Sequence, residues 1–508
     1  MRPRWRASAL GAGVFALLVA GCATVDAPFR GHLASEATQV RACADWYRLL
    51  DERVAAAGTR DAQDARVSGF PYLRVNRLLA ALRPAALSNE HALRALADRM
   101  LALDLEARRY EIMNLPAGQL PELRDASDHF GLRFALERTQ ECGRLLREID
   151  LAEPESRAAL LQRAEVPDDY GLAKRILGLY WVTRIAIAAG VRIQEEETRA
   201  AFRRERAAPW DPGAVQHLRY APEPGSPLPR SRVARMLQRA AENPLGIPEP
   251  SARDLAGLLA AYAPSFEVEV KGDFDRFGAL RWLRDRETPT VDGAQLAVYA
   301  HPAWTRYEGR VLLQLVYTLW FPERPAQFEG DPLAGKLDGI IWRVTLAPDG
   351  EPLVYDAIHP CGCYHMFFPT PRAAARPEPG GIEEWMFSPQ SLPRIADGER
   401  PVVRIASGTH YVEGVGVAKG TDSLARYELL PYGELRSLPR FPGPRAGAFG
   451  ADGLVPGTER VERFAFWPMG IVSAGAMRQW GRHATAFVGR RHFDDADLLE
   501  KRFRLDLR

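Results

Sequence analysis

The densest chemistry in the chain is His359-Pro360-Cys361-Gly362-Cys363-Tyr364-His365, which sets four metal-capable side chains two residues apart between apolar runs. Thiolate and imidazole are the favoured donors for zinc and also suit copper or iron. Zinc or another transition metal is therefore the cofactor this segment predicts, with metal-assisted hydrolysis as the activity that could follow. His359, Cys361, Cys363 and His365 share one parity and would face one side of a regular strand. At about 3.4 Å per residue they would span about 20 Å, too far for one ion. The chain must turn, and Pro360 and Gly362 allow it. Two or three of the four can then converge, with distant residues completing the set. Two other readings stay open: a redox or structural Cys361–Cys363 disulfide, and thiols and imidazoles that only pack.

The distant ligands have candidates. Six of the ten His lie between positions 301 and 492, and His410 and His483 stand in loop-like contexts where functional residues concentrate. Glu413 or Asp356 could serve as general base or orient a ligating imidazole. Ser407-Gly408-Thr409-His410 resembles a turn in β-sandwich proteins of the necrosis-inducing superfamily. The acidic and tryptophan metal motif of that family is missing, with Asp338-Gly339-Ile340-Ile341-Trp342 a poor substitute, and no activity is carried over. The sequence has no G-x-S-x-G elbow, Walker A loop, H-E-x-x-H or G-x-G-x-x-G before a helix. Asp494, Asp495 and Asp497 lack the glycine and distal glutamate of a calcium loop and read as a solvated helix start.

The N-terminus carries an address. Arg2, Arg4 and Arg6 precede an apolar run over 9–20 that is short for an ordinary membrane span. Leu18-Val19-Ala20-Gly21-Cys22 then resembles the lipobox of bacterial lipoproteins. That resemblance implies cleavage before Cys22, lipidation of Cys22 and a membrane partner held through acyl chains. Ala23 rather than Asp after the Cys implies the periplasmic side of the outer membrane. Loss of residues 1–21 removes three Arg and brings the formal charge from +2 to −1, which gives no basis for a nucleic-acid partner.

The elements that must position the site divide into two kinds. A 508-residue chain with 46% hydrophobic and 26% charged residues can bury sizeable cores. Residues 22–33 read as a tether. Over 34–205 apolar spacings of three and four predict helices, for instance Val40, Cys43, Trp46, Tyr47, Leu50 and Val54 on one face. The apolar stretch 176–190 reads as a buried core helix, the alternative being a helix in contact with a membrane. Cys43 and Cys142 fall on helical patterns and are either a disulfide or two buried thiols. Prolines break up 206–264, a connector with a short helix over 233–241. From 265 to 508 the period becomes two, with strands over 266–270, 295–299, 311–321, 340–346, 353–358, 402–406, 411–417, 425–430 and 463–467. Asp349-Gly350 marks a hairpin, and 494–507 reads as a terminal helix. The fold class is α+β: an N-terminal α-helical domain followed by an antiparallel β-rich domain, a sandwich or open barrel. The function alternative to metal binding is a non-enzymatic envelope scaffold or assembly factor whose helical half binds an envelope protein partner.

Overall fold

The computed structural model describes residues 27–120, 129–207, 217–223, 228–283, 286–417, 424–440 and 443–508. Residues 1–22, the expected signal segment and lipidation site, lie outside them. By contacts the chain separates into two compact units: one takes Met1–Ala57, Asp64–Ile112 and Ala117–Val166, the other Gly58–Gln63, Met113–Pro116 and Pro167–Arg508.

The first unit is mainly helical, with α1 (Ala27–Leu33), α2 (Thr38–Ala57), α3 (Arg77–Ser88), α4 (Glu90–Met113), α5 (His129–Ala152) and α6 (Pro154–Arg163). The spacing rule holds on α2, whose Cys43, Trp46, Tyr47, Leu50 and Val54 are buried. Asn76 caps α3 through Leu79 N–H at 3.0 Å, and Asn89 caps α4 through His91 N–H at 2.9 Å. Cys43 and Cys142 form a disulfide joining α2 to α5. The helical pattern gave no sign of β1 (Ala65–Val67) and β2 (Phe70–Val75), an antiparallel pair turning at Gly69, φ +81°.

The second unit opens with α7 (Leu172–Leu177), α8 (Tyr180–Ala207), β3 (His217–Pro222), α9 (Arg230–Ala240), α10 (Ala252–Tyr262) and β4 (Ser265–Glu269). There follow β5 (Ala279–Arg281), β6 (Thr290–Asp292), β7 (Ala297–Tyr307), β8 (Arg310–Arg324), β9 (Gly335–Leu346), β10 (Pro352–Ile358) and β11 (Met366–Pro369). The chain finishes with β12 (Ala373–Ala375), β13 (Pro401–Ile405), β14 (Val412–Val417), β15 (Leu424–Pro431), α11 (Arg463–Phe466), α12 (Leu498–Arg502) and β16 (Phe503–Leu505). Ten strands make one sheet in the order β11-β10-β9-β8-β7-β15-β3-β4-β13-β14.

The helical-then-strand organisation is as expected, but the sheet is mixed rather than antiparallel. β15 runs parallel to both β7 and β3, and β4 parallel to β13. Hairpins force antiparallel neighbours only where strands are joined by short turns, as in the β7–β11 meander; strands arriving by long connections are free to pair either way. One of these, β3, lies inside the expected connector. Residues 463–467, expected as a strand, form α11 and the start of a 3₁₀ turn over Trp467–Met469, and the expected terminal helix over 494–507 shrinks to α12 followed by β16. The stretch 176–190 is not a buried core: Leu177 is 76% exposed, Trp181 58% and Ile185 62%.

Candidate functional site

Residues 359–365 form the turn between β10 and β11. The His359 N–H donates to the Cys363 carbonyl at 3.0 Å and the Gly362 N–H to the His359 carbonyl at 2.8 Å. Gly362 has φ +93°, and a side chain there would strike the Ala484 carbonyl, so the turn requires glycine. Tyr364 follows at φ +58° and His410 stands at φ +52°, conformations that bulky residues adopt only when held by their surroundings.

The turn separates the four predicted ligands rather than gathering them. Cys361 and Cys363 stay together, the Cys363 N–H donating to Cys361 Sγ at 3.4 Å, and both are free thiols. A hydrogen bond between the two thiols lowers the Cys361 pKa against burial, with help from the Arg460 charge; the same bond, with burial, pushes Cys363 well up. His359 Nδ1 shares a hydrogen bond with Asp338 Oδ1 at 3.1 Å, while His365 Nε2 shares one with Asp356 Oδ2 at 3.1 Å. Among the described residues no three His, Cys, Asp or Glu side chains group as a metal ion would need.

Asp338 organises the buried polar core. The register pairing Ile358 with Ile341 brings His359 to it from β10. His410 Nδ1 reaches its other oxygen at 3.0 Å, and His410 Nε2 lies 3.3 Å from Asp275. Asp275 in turn accepts from Ser407 Oγ at 2.8 Å and Gly408 N–H at 2.7 Å. The His410 ring stacks on Phe321 with centroids 3.9 Å apart. Burial works against charge on His410, but the two carboxylates outweigh it and its pKa rises. Asp338 is buried too, yet His359, Arg460 and His410 hold it well below the usual carboxylate range. The result is an imidazole ring held between two carboxylates that favour its charged form. Above it Tyr364 and Tyr411 join hydroxyls at 2.5 Å, linking the β10–β11 turn to the residue before β14. These are the two edges of the sheet, so the curled sheet closes at this point.

The predicted bases fare differently. Asp356 takes both Arg343 nitrogens, at 3.0 and 2.5 Å, besides His365. Burial raises its pKa, Arg343 lowers it further, and the net is a depressed value, so Asp356 is a locked ion-pair member and not a free general base. Glu413 lies on β14 next to Val412, which faces the site, and alternation turns Glu413 the other way. Burial and Glu269 raise its pKa there. His483 is buried, its pKa lowered to about 3 by desolvation and the Arg478 charge, and its ring lies tilted to Trp480 and edge-on to Phe493.

The thiol turn forms one wall of a cavity of about 370 Å³. Ile187, Gly190 and Val191 of α8 form a second wall, Trp385 and Phe387 a third, and Phe466 and Phe487 close it. Three carboxyls enter this largely apolar space. Burial and the neighbouring Glu384 raise Glu195 to about 6. Burial also raises Glu384 and Glu462. Glu384 accepts from the Phe487 and Val488 N–H groups at 2.6 and 2.9 Å, and Arg491 lies 3.6 Å from it. Sequence reasoning missed these groups. Glu195 was detectable, since it continues the 187–191 face at helical spacing, but Glu384 sits in an irregular loop that carries no periodic signal. Comparison with family models, with curated proteins and with solved structures finds no match for this chain.

Proposed function

We propose that the chain is a lipid-anchored envelope protein, acylated at Cys22, whose second unit binds a small, largely apolar molecule in the cavity behind α8. The observation that carries this reading is the wall composition: aromatic and aliphatic side chains on most sides, with two free thiols and carboxyls of raised pKa at fixed points. Such a space suits an apolar body with one or two polar atoms. A group like Glu195, with a pKa of about 6, could donate or accept a proton near neutral pH.

Gly190 offers a clean test. A Cβ built there meets nothing within 4 Å and Gly190 lines the cavity, so the first atom of a larger side chain is accommodated and Gly190→Leu would narrow the cavity. Glycine is a poor helix interior residue by about 1 kcal/mol, so the variant should be at least as stable as the parent. The probe is 1-anilinonaphthalene-8-sulfonate, read by its own fluorescence and by protection of Cys363 from alkylation. We expect the parent to bind it and Gly190→Leu to bind roughly tenfold more weakly, as loss of a few contacts in an apolar pocket gives. Equal binding by a folded Gly190→Leu variant would place the ligand elsewhere.

A second reading keeps the metal. Cys361 and Cys363, adjacent in one turn with the Glu462 charge close by, could hold a soft ion such as zinc. His359, His365 and His410, committed to carboxylates, would not share in it. Elemental analysis of the purified protein, with and without Cys361→Ala/Cys363→Ala, decides this: stoichiometric metal lost in the double variant supports it.

A further inference from the structure

We propose that α7, the first turns of α8 and the segment over 461–472 together dock on the surface of an anionic lipid bilayer. Leu177, Leu179, Trp181, Val182 and Ile185 are all more than half exposed, and so is Phe464. Large apolar side chains clustered on a water-soluble surface mark an interaction site. The cluster is held in shape from below. The Gly171 N–H donates to the Gly470 carbonyl at 2.8 Å, Arg175 Nε to the Met469 carbonyl at 2.8 Å, and Arg175 to the Gly489 carbonyl at 2.6 Å. The elbow between α7 and α8 therefore sits on the turn that carries exposed Trp467.

The charge around this face selects the occupant. From Gly171 to Ile193 the chain has Lys174, Arg175, Arg184 and Arg192 and no Asp or Glu; over 461–472 it has Arg463 and one acid, Glu462, which is buried. Arg175 is spent on carbonyls and Arg192 reaches the Gly381 carbonyl at 3.5 Å, which leaves Lys174, Arg184 and Arg463 as the basic rim. A second copy of the chain would bring that rim against itself, like charge on like. Anionic headgroups complement it, and tryptophan beside a basic rim is the composition of a side chain at the lipid–water boundary. No helix among the described residues is long and apolar enough to cross a membrane, so the face lies in the interface. This goes beyond the cavity reading and does not depend on it.

The test uses the full chain with phosphatidylcholine vesicles, with and without phosphatidylglycerol, whose acyl chains carry bromine. Flotation reports the anchor; bromine quenching of tryptophan reports docking. In the anionic vesicles we expect quenching from both Trp181 and Trp467, reduced by the Trp181 share in Trp181→Phe and mostly lost in Leu177→Ser/Ile185→Ser. Without phosphatidylglycerol, docking should fall roughly tenfold or more, since each basic residue near an anionic surface contributes about 1 kcal/mol. Floating protein without Trp181-dependent quenching would overturn the proposal while leaving the anchor intact. Protection of α7 and α8 amides that rises with protein concentration and ignores lipid would also overturn it, and would assign the face to a protein contact.

Discussion

Buried histidines in the second unit titrate in opposite senses. His410, between Asp338 and Asp275, has a folded pKa above its ordinary value of 6.5. The stability it contributes is complete below that value and fades as pH rises through the folded one. His301, His365 and His483 are each lowered to about 3, chiefly by burial. Their contribution is complete above pH 6.5 and is lost as acid protonates the unfolded chain first. Each such group costs about 1.4 kcal/mol per pH unit within that window. Urea midpoints should therefore fall steadily from pH 6.5 toward 3. His301 packs between Tyr432 and Trp480, and neither ring nitrogen has a hydrogen-bond partner among the described residues. His301→Phe should flatten the acid limb by the share of one histidine and leave stability at pH 7 unchanged or raised. An unaltered pH slope would show that His301 does not titrate in this way.

At the scale of elements, the helical unit is fastened by charge as well as by apolar packing. Arg74 from β2 meets Asp104 at 3.1 Å and Glu111 at 2.6 Å, both on α4. Arg108 reaches Asp51 of α2 at 2.6 Å and Glu111 at 3.1 Å, and Arg66 of β1 reaches Asp51 at 2.8 Å. Three guanidinium groups thus balance three carboxylates across four elements. Burial alone would raise Glu111, but Arg74, Arg108 and Arg66 bring it below the usual range. Removing one partner from such a set leaves an uncompensated buried charge, so Glu111→Gln should cost about 3–5 kcal/mol in urea unfolding. A loss below about 1 kcal/mol would mean the network relaxes toward water. The Cys43–Cys142 bridge closes 99 residues of chain, and removing a native bridge typically costs about 2–5 kcal/mol. Reduction of the protein should therefore lower the unfolding midpoint, a shift absent from Cys43→Ala/Cys142→Ala. Such a bond also suits an oxidising compartment.

Over the whole molecule, what could be read from sequence was what is local. The β9–β10 hairpin at Asp349-Gly350, with Gly350 at φ +83°, follows from a two-residue signal and flanking alternation. The α2 face follows from spacing. The turn at Gly362 was legible from Pro360 and Gly362, but the convergence of ligands it was expected to serve does not occur. Asp338 was not: it stands 21 residues before His359, and only the β9–β10 register and the closure of the sheet bring it to His359 and His410 together. The parallel placement of β3 beside β15 was equally hidden, because no short turn joins them and Pro222 ends the strand. The exposed elbow was misjudged because an apolar run reads the same whether protein or lipid covers it.

That α8 has one face in the cavity and another exposed turns two binding events into one thermodynamic cycle. Ile187 and Val191 wall the cavity, while Trp181, Val182 and Ile185 on the same rigid rod stand outward. If seating on a bilayer shifts the helix by even a fraction of an ångström, ligand affinity changes by some factor. Reciprocity then requires the ligand to change bilayer affinity by that same factor. Titrating ligand with and without anionic vesicles, and vesicles with and without ligand, should return equal ratios. Gly190→Leu should drive both toward unity, since a filled groove no longer distinguishes the two positions of the rod.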